Sequence, residues 1–390
     1  MAQKLSFIFF VSTMLLMTSA GCYYIGKKIL WTFPDLQTKR IYVFITLFLF
    51  VLVQALGPFL YRMNPSSEAR PFILQWITYV SLGFMASLLF YFLAAETIAW
   101  FVKKIPLFMQ SPEQAENLER RLFLGVGLFS LASATAGTLT AIEGPQIENV
   151  EVPLKPLPPE FHQFKIAQIS DLHVGPTINR DYAQKVVDLT LAQKPDVIVL
   201  TGDMVDGYPE QLRSQLEPLK SLTAPHGIYY CSGNHEYYWG GPQWCEEFKN
   251  MGFEVLNNEH RFITKGESKV CIGGIPDIKA HQFIPEHRAD AVKTFSGVSS
   301  ETTKILLAHQ PAAYKQSLEA GVHLQLSGHT HGGQFFPWSI FVALTQKFYR
   351  GLYFHENLWV YTNRGTGYWG PPQRFAIPPE ITLITLKKES

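Results

Sequence analysis

The chain has little of several things at once. Of its 390 residues only 17% are charged and only four are cysteine, and 33 Lys and Arg stand against 32 Asp and Glu, a net charge of +1. So even a balance gives no global field to attract a phosphate backbone, and no nucleic-acid partner is expected. Low charge together with 47% hydrophobic and 14% aromatic residues excludes a disordered or collagen-like chain, since those carry few aromatics and far more charge or glycine. Cys22, Cys231, Cys245 and Cys271 follow no metal-type spacing. Four cysteines also make no disulfide framework in a chain with room for two or three structural units.

The scarcity of charge is concentrated at one end. Residues 1–144 hold 11 basic and 7 acidic side chains, leaving 22 and 25 for the rest, so the two parts carry +4 and −3. Four stretches contain no Asp, Glu, Lys or Arg: Leu5–Gly26, Ile41–Tyr61, Pro71–Ala95 and Leu122–Ile142. An apolar helix needs about 20 residues to cross roughly 30 Å of hydrocarbon. The expected N-terminal part is therefore a helical membrane region over 1–144, with spans near 5–26, 41–62, 71–102 and 122–142. The last is rich in Gly, Ala, Ser and Thr, which lets helices pack closely in lipid.

Orientation follows from the basic loops. Lys27, Lys28, Lys39 and Arg40 follow the first span and Lys103, Lys104, Arg120 and Arg121 the third, whereas the other side has only Lys4, Arg62 and Arg70. Basic loops stay cytoplasmic, so both termini, and everything past residue 145, are expected on the outer side of the cell membrane. Ser19-Ala20-Gly21-Cys22 has the outline of a lipoprotein cleavage box. It lacks the usual Leu three before the Cys, and Tyr23, Tyr24 and Ile25 continue the apolar run.

Pro145, Pro153, Pro156, Pro158 and Pro159 crowd the next stretch and disfavour helix before them, so residues 145–161 read as a Pro-rich linker to a domain over 162–390. In that domain short β-rich runs (Lys165–Ser170, Asp196–Thr201, Gly227–Ser232, Val270–Ile275, Lys304–Ala308 and Leu324–Ser327) alternate early on with helical patterns at Arg180–Gln193 and Glu210–Leu222. That is the pattern of an α/β domain.

Polar residues gather where these strands stop. Asp171 and His173 follow the first, Asp203 the second, Asn234, His235 and Glu236 the third, His309 a later one, and His329 and His331 the last. Ligand groups in α/β sheets collect beyond the carboxyl ends of the strands, so five loops would face one crevice. In Asp171-x-His173 and His329-x-His331, alternate residues of an extended segment would point the same way, with Gly202, Gly233 and Gly328 permitting the turns. Asp, His and Asn suit a pair of divalent ions. A carboxylate shared between two ions holds them about 4 Å apart, close enough to carry a hydroxide and to neutralise the oxygens of an attacked phosphate. Such donors accept Mn, Fe and Zn alike.

The ordered set Asp171-Leu172-His173, Gly202-Asp203, Gly233-Asn234-His235-Glu236, His309 and Gly328-His329-Thr330-His331 resembles the calcineurin-like metallophosphoesterase superfamily over roughly residues 160–388. The resemblance implies two mixed sheets flanked by helices, hydrolysis of phosphoester or pyrophosphate bonds by a metal-bridged hydroxide, and two divalent metal ions. Carried over by position, Asp171, His173, Asp203 and His331 would hold one ion and Asp203, Asn234, His309 and His329 the other. His235 would sit over the substrate to stabilise the transition state or protonate the leaving oxygen, with Glu236 a candidate to orient its ring. Asp206 either tunes the site from behind or serves the Asp206-Gly207 turn. His162, His226, His260, His281, His287, His323 and His355 lie outside every motif and read as surface or core residues.

A membrane-anchored branch of that superfamily, which includes UDP-diacylglucosamine pyrophosphatase-like proteins of lipid A biosynthesis, is resembled more closely. The residues that carry this are His329-Thr330-His331-Gly332-Gly333-Gln334, Asn363-Arg364-Gly365-Thr366-Gly367 and Pro378-Pro379-Glu380. Four spans depart from the single anchor common in that branch. Arg364 or Arg374 could grip a substrate phosphate bidentately, or serve in a structural salt bridge. The aromatic run from Phe335 to Phe354 either meets acyl chains at the membrane interface or packs beneath the last strands. The expected partners are thus the lipid bilayer and a lipid-linked phosphoester. The alternatives are a phosphodiesterase of small soluble phosphoesters or nucleotides and, in another class, a membrane scaffold with an inactive site.

Overall fold

The computed structural model describes the backbone at residues 2–63, 72–104 and 112–389, and side chains at 12–60, 73–102, 104 and 117–389. The chain forms two compact units, the N-terminal helices up to Leu139 and a domain from Thr140 onward, described here one at a time. The first contains α1 (Ala2–Thr32), α2 (Arg40–Met63), α3 (Phe72–Lys103) and most of α4 (Pro112–Glu143). Among the described residues three helical stretches are long and apolar enough to cross a bilayer: Pro34–Leu60, Ile73–Val102 and Asn117–Glu143. They leave Phe48, Leu52, Ile77, Leu93 and Leu128 exposed, as helices that face lipid do.

The expected first span falls inside α1, and its residues up to 11 lie outside the described side chains. The helix runs on through Cys22, which is buried beside Ile25 and Phe92 in an apolar cluster. Lys27 and Lys28, expected in a loop, belong to its last turns, and Lys28 Nζ is 2.7 Å from Glu96 of α3 and 3.6 Å from Glu119 of α4. An ion pair of that kind removes the cost of carrying a lone charge on an apolar helix.

The second unit adds β1 (Gln146–Leu154), β2 (Lys165–Ile169), α5 (Arg180–Ala192), β3 (Val197–Leu200), α6 (Pro209–Leu216), β4 (Ile228–Tyr230), α7 (Asn234–Tyr238), α8 (Gly241–Asn250), β5 (Glu254–Val255), β6 (Glu259–Lys265) and β7 (Ser268–Gly274). It continues with α9 (Ala291–Thr294), β8 (Lys304–Leu307), α10 (Tyr314–Glu319), β9 (Leu324–Ser327), α11 (Trp338–Thr345), β10 (Gly351–His355), β11 (Leu358–Thr362) and β12 (Glu380–Lys388). Two six-stranded sheets result, ordered β1-β12-β2-β3-β4-β5 and β10-β11-β9-β8-β7-β6. Both are mixed. The first runs parallel from β2 to β5 and the second from β7 through β8 and β9 to β11, with antiparallel pairs at β12–β2, β10–β11 and β6–β7.

Alternation along the strands explains the layering. In β3, Val197 and Val199 join a core with Ile305, Leu307, Leu324 and Leu326 of the other sheet, while Ile198 and Leu200 turn to a second core with Val186, Leu212, Leu216 and Trp244. Strands buried on both faces read as continuous apolar runs, as these do.

The first part of the expected linker over 145–161 is instead a strand of the sheet. Gln146–Leu154 is an edge strand, paired in parallel with β12 from Gln146↔Glu380 to Leu154↔Lys388, and Val152 and Leu154 are buried in the core between sheets. Pro153 is tolerated because an edge strand has one side that needs no ladder donors. The helical pattern expected over Glu210–Leu222 stops as α-helix at Leu216 and continues as a 3-10 turn, because Pro218 lacks the N–H that an α-helix requires.

Candidate metal centre

Every parallel strand in the middle of either sheet delivers a loop to the same edge. The loops after β2 and β3 are tied by main-chain bonds from Asp171 N to Gly202 O (2.9 Å), His173 N to Asp203 O (3.1 Å) and Val174 N to Met204 O (3.0 Å). Gly328 N donates to His309 O (2.9 Å) and Gly367 N to Asp171 O (3.0 Å), drawing in the loops after β9, β8 and β11.

The backbone of these loops is not the extended chain that alternation implies. Asp171, His173, Asp203, His329 and His331 all have positive φ, between 51° and 69°. A non-glycine residue pays roughly 1–2 kcal/mol for that conformation, so the surrounding sheets must hold it in place. Left-handed residues on either side of Leu172 and Thr330 bring each pair to one side, where a strand would have done so by its pleat. The glycines serve a different end from the one expected. Only Gly202 has positive φ (86°); a Cβ on Gly233 would lie 2.2 Å from Asp203 Oδ1, and one on Gly328 would lie 2.0 Å from Asp171 Oδ2 and Ser170 Oγ. Gly233 and Gly328 therefore allow loops to press against carboxylates.

The side chains converge as three groups of donor atoms: Asp171, His173 and His331; Asp203, His309 and His329; and, between them, His173, Asp203 and His235. His173 Nε2 is 3.1 Å from His331 Nε2 and 4.0 Å from both Asp171 Oδ1 and Asp203 Oδ2. His331 Nε2 is 3.4 Å from Asp171 Oδ1. Asp203 Oδ2 is 3.0 Å from His309 Nε2, which is in turn 3.2 Å from His329 Nδ1. The Nδ1 of His309 lies 2.8 Å from Thr201 O, a bond that places the proton there and leaves Nε2 for the centre. Asn234 sits at the start of α7 with its Oδ1 buried and without a hydrogen-bond partner.

This donor set fits divalent cations. Imidazole nitrogens facing each other at 3.1 and 3.2 Å, beside carboxylate oxygens and an unpartnered amide oxygen, are lone pairs that a shared cation satisfies. Burial lowers the pKa of His329 to about 3, and burial with Arg374 nearby also lowers that of His331, which favours neutral rings with open lone pairs. Metal ligation needs that form.

Behind the donors Asp206 takes the first of its two expected roles, and Glu236 departs from its own. Asp206, rather than Glu236, orients the rings: Oδ1 receives His235 Nδ1 and Oδ2 lies 3.1 Å from His173 Nδ1. Glu236 is fully buried and accepts from three backbone amides, Asp203 N (3.0 Å), Met204 N (2.7 Å) and Gly233 N (2.7 Å), so it clamps the Asp203 loop. Burial disfavours a charged His235, but the carboxylates of Asp203 and Asp206 outweigh it and raise its pKa to about 9. His235 Nε2 faces the centre, 3.9 Å from Asp203 Oδ2, with Tyr238 and Trp369 against its ring at 5.1 and 5.7 Å.

Both arginines are engaged elsewhere. Arg364 pairs with Glu380 and, at 2.8 Å, with Glu148. Arg374 is fully buried, and its guanidinium spends its donors on Gly367 O, Arg364 O, His331 O and Gly365 O, with Nη2 3.1 Å from His331 Nδ1. It supports the His331 loop and has no fork left for a phosphate. None of the seven remaining histidines joins a candidate cluster among the described residues. The loop after β7, which carries no expected site residue, also reaches this edge: buried Asp277 accepts from Gln310 Nε2 (2.8 Å) beside His309. The run Gly273-Gly274-Ile275-Pro276-Asp277 at a strand end was the available signal.

Residues 164–333 match the family model described as calcineurin-like phosphoesterase. A Danio rerio protein named "Transmembrane protein with metallophosphoesterase domain" is 32% identical over 398 residues, covering 99% of this chain and 90% of its own length. A Bos taurus protein of the same name is 33% identical over 336 residues, covering 82% and 75%. A Helicobacter pylori protein named "Uncharacterized metallophosphoesterase" is 32% identical over 358 residues, covering 90% and 92%.

Proposed function

The chain is a membrane protein of the calcineurin-like phosphoesterase family, a family of metal-dependent phosphoester hydrolases, and on that premise we propose that it hydrolyses phosphate or pyrophosphate esters that are lipid-linked. The observation that carries the dimetal reading is Asp203. It lies within 3.0 Å of His309 and 4.0 Å of His173, the members of two separate donor groups, so it is placed to bridge them.

Asp171, His173, Asp203 and His331 would hold one divalent ion and Asp203, Asn234, His309 and His329 the other; bound there, the ions supply Lewis-acid charge to phosphate oxygens and activate water. The protein's own part is positioning and proton transfer. His235 Nε2 faces the centre, and in its protonated form it can hand a proton to the leaving oxygen or donate to an equatorial one. Asp206 bonds the His235 ring and lies 3.1 Å from His173 Nδ1, so one carboxylate stands behind both rings. The rings of Tyr238 and Trp369 lie against the His235 ring.

The lipid-linked class is supported by two features: the apolar helix α4 ends at Glu143, three residues before the first strand, and an aromatic-rich run begins at Phe335, just after Gln334. A multi-pass arrangement over 1–144 with the catalytic domain outside belongs to the same proposal and rests on the bias of Lys and Arg towards one side, although Lys27, Lys28, Arg120 and Arg121 lie in helices and not in loops. None of the three relatives named above carries a lipid A name, so the substrate stays at the broader class. Hydrolysis profiling of purified, Mn²⁺-loaded protein against phospholipids, nucleotide-linked lipids, nucleotides and an aryl phosphodiester tests this. Turnover lost in His235→Ala and Asp203→Ala, with lipid-linked esters preferred, is the expected result. Preference for free nucleotides overturns the substrate class, and inertness of the wild type overturns the activity.

A further inference from the structure

One helix beside the metal centre is built unlike the others of its domain. From Gln146 onward the large hydrophobic side chains left exposed are nine, and four of them, Trp338, Ile340, Phe341 and Leu344, belong to the eight residues of α11. Leu344 is 80% exposed, and no residue of α11 is buried. A helix with no buried residue leaves Trp338, Ile340 and Leu344 open to solvent, and that exposure needs another explanation.

The chemistry around it narrows the occupant. The helix has no charge, and its Thr345 hydroxyl donates back to Phe341 O at 2.9 Å, so it offers little for directional recognition. From His331 to His355 there is no Asp or Glu, while Lys347, exposed, and Arg350, half-buried, follow the helix. An apolar helix with Trp at one end and basic residues at the other matches the interface of an anionic bilayer, which takes apolar side chains at acyl depth and cations at headgroup depth. The chain already carries apolar helices long enough to span that bilayer.

The helix is also coupled to the site. A Cβ on Gly333, in the turn that His331 opens, would meet Ser339 Cα at 2.2 Å, so α11 seats directly on the ligand loop. Gln334, between the two, exchanges hydrogen bonds with the backbone of Trp369 (2.9 and 2.8 Å), whose ring touches His235.

We propose that α11, with Lys347 and Arg350 behind it, is a bilayer-docking surface that sets the mouth of the metal centre at the depth of lipid headgroups. This rests on the phosphoesterase reading and adds how a lipid-linked phosphoester would reach His235 without leaving the membrane. The test uses the full chain in nanodiscs of phosphatidylcholine and phosphatidylglycerol, on a Cys245→Ser background, with a nitroxide at Leu344→Cys or, as reference, at Val292→Cys. Val292 is 52% exposed on α9, which packs over β7 and β6, at the sheet edge opposite β10. The expected result is a several-fold lower accessibility to a water-soluble nickel chelate and a higher accessibility to oxygen at Leu344→Cys than at Val292→Cys. Equal nickel accessibility at the two positions overturns the proposal. So does protection without oxygen gain, or dipolar broadening between labels, since these show a protein partner or a second copy on the helix. Turnover of an aryl phosphodiester by the same samples reports the metal centre separately: active samples with a water-exposed label overturn docking alone, and inert samples with a bilayer-embedded label overturn the functional reading alone.

Discussion

His173 and His331 are separated by 158 positions in the chain, yet their Nε2 atoms lie 3.1 Å apart with an Asp171 oxygen 3.4 Å from the second ring. Two rings so close, in a buried site, are compatible when a cation accepts both lone pairs. Replacing His331 by Ala removes one donor from one group and none from the other. The metal content of the purified protein, measured by plasma emission, is expected to fall from about two ions per chain to about one. Unchanged content would show that His331 is not a ligand.

Asp206 holds the His235 and His173 rings from behind. Removing a carboxylate that orients a ligating or proton-donating histidine costs typically about 10–100-fold in activity or metal affinity. Asp206→Asn is expected to lower kcat for an aryl phosphodiester by that factor while circular dichroism is unchanged. A variant with wild-type kcat would return Asp206 to the plain turn role its sequence neighbour Gly207 equally allows.

Gly328 has no room for a methyl group, since a Cβ there would stand 2.0 Å from Asp171 Oδ2. Overpacking of this kind costs about 1–3 kcal/mol. Gly328→Ala is expected to lower the melting temperature and to displace Asp171, so that metal affinity falls with it. Gly266→Ala is the control: its Cβ meets nothing within 4 Å, and the cost there is the left-handed backbone alone (φ 63°). Intact metal affinity in a destabilised Gly328→Ala would separate packing from ligand placement and contradict the role assigned to Gly328.

Arg374 tests structural against substrate-gripping use of a guanidinium. Its donors end on four backbone carbonyls, and a lysine ammonium cannot reproduce that planar fork. Arg374→Lys is expected to cost at least about 3 kcal/mol of stability, read by thermal unfolding, with KM of the surviving fold unchanged. A raised KM at unchanged stability would instead mark it as a phosphate ligand.

The sequence carried the candidate ligands because loops that end parallel strands share one edge of a sheet, so chain order was enough to bring Asp171, Asp203, His309 and His331 together. What it hid was backbone conformation. Asp171-x-His173 looks like a strand segment, and the positive φ at both residues comes from main-chain bonds to Gly202, Asp203 and Met204 in another loop, which no local pattern reports. Glu236 follows His235 directly and so seemed to be its orienting partner, yet at the start of α7 its carboxylate turns to the backbone amides of the Asp203 loop. The prolines of 145–161 masked the alternation of Val150, Val152 and Leu154, which an edge strand accommodates. Arg364 and Arg374 were legible as arginines, but their carbonyl and carboxylate partners lie in loops whose folding the sequence does not disclose.

The central claim is that one carboxylate, Asp203, stands between two cations. Anomalous scattering from crystals of the protein grown with Mn²⁺ tests it most directly. Two peaks about 3.5–4 Å apart are expected, one beside His173 and His331 and the other beside His309 and His329, with Asp203 touching both. A single peak, or two peaks that do not share Asp203, would contradict it.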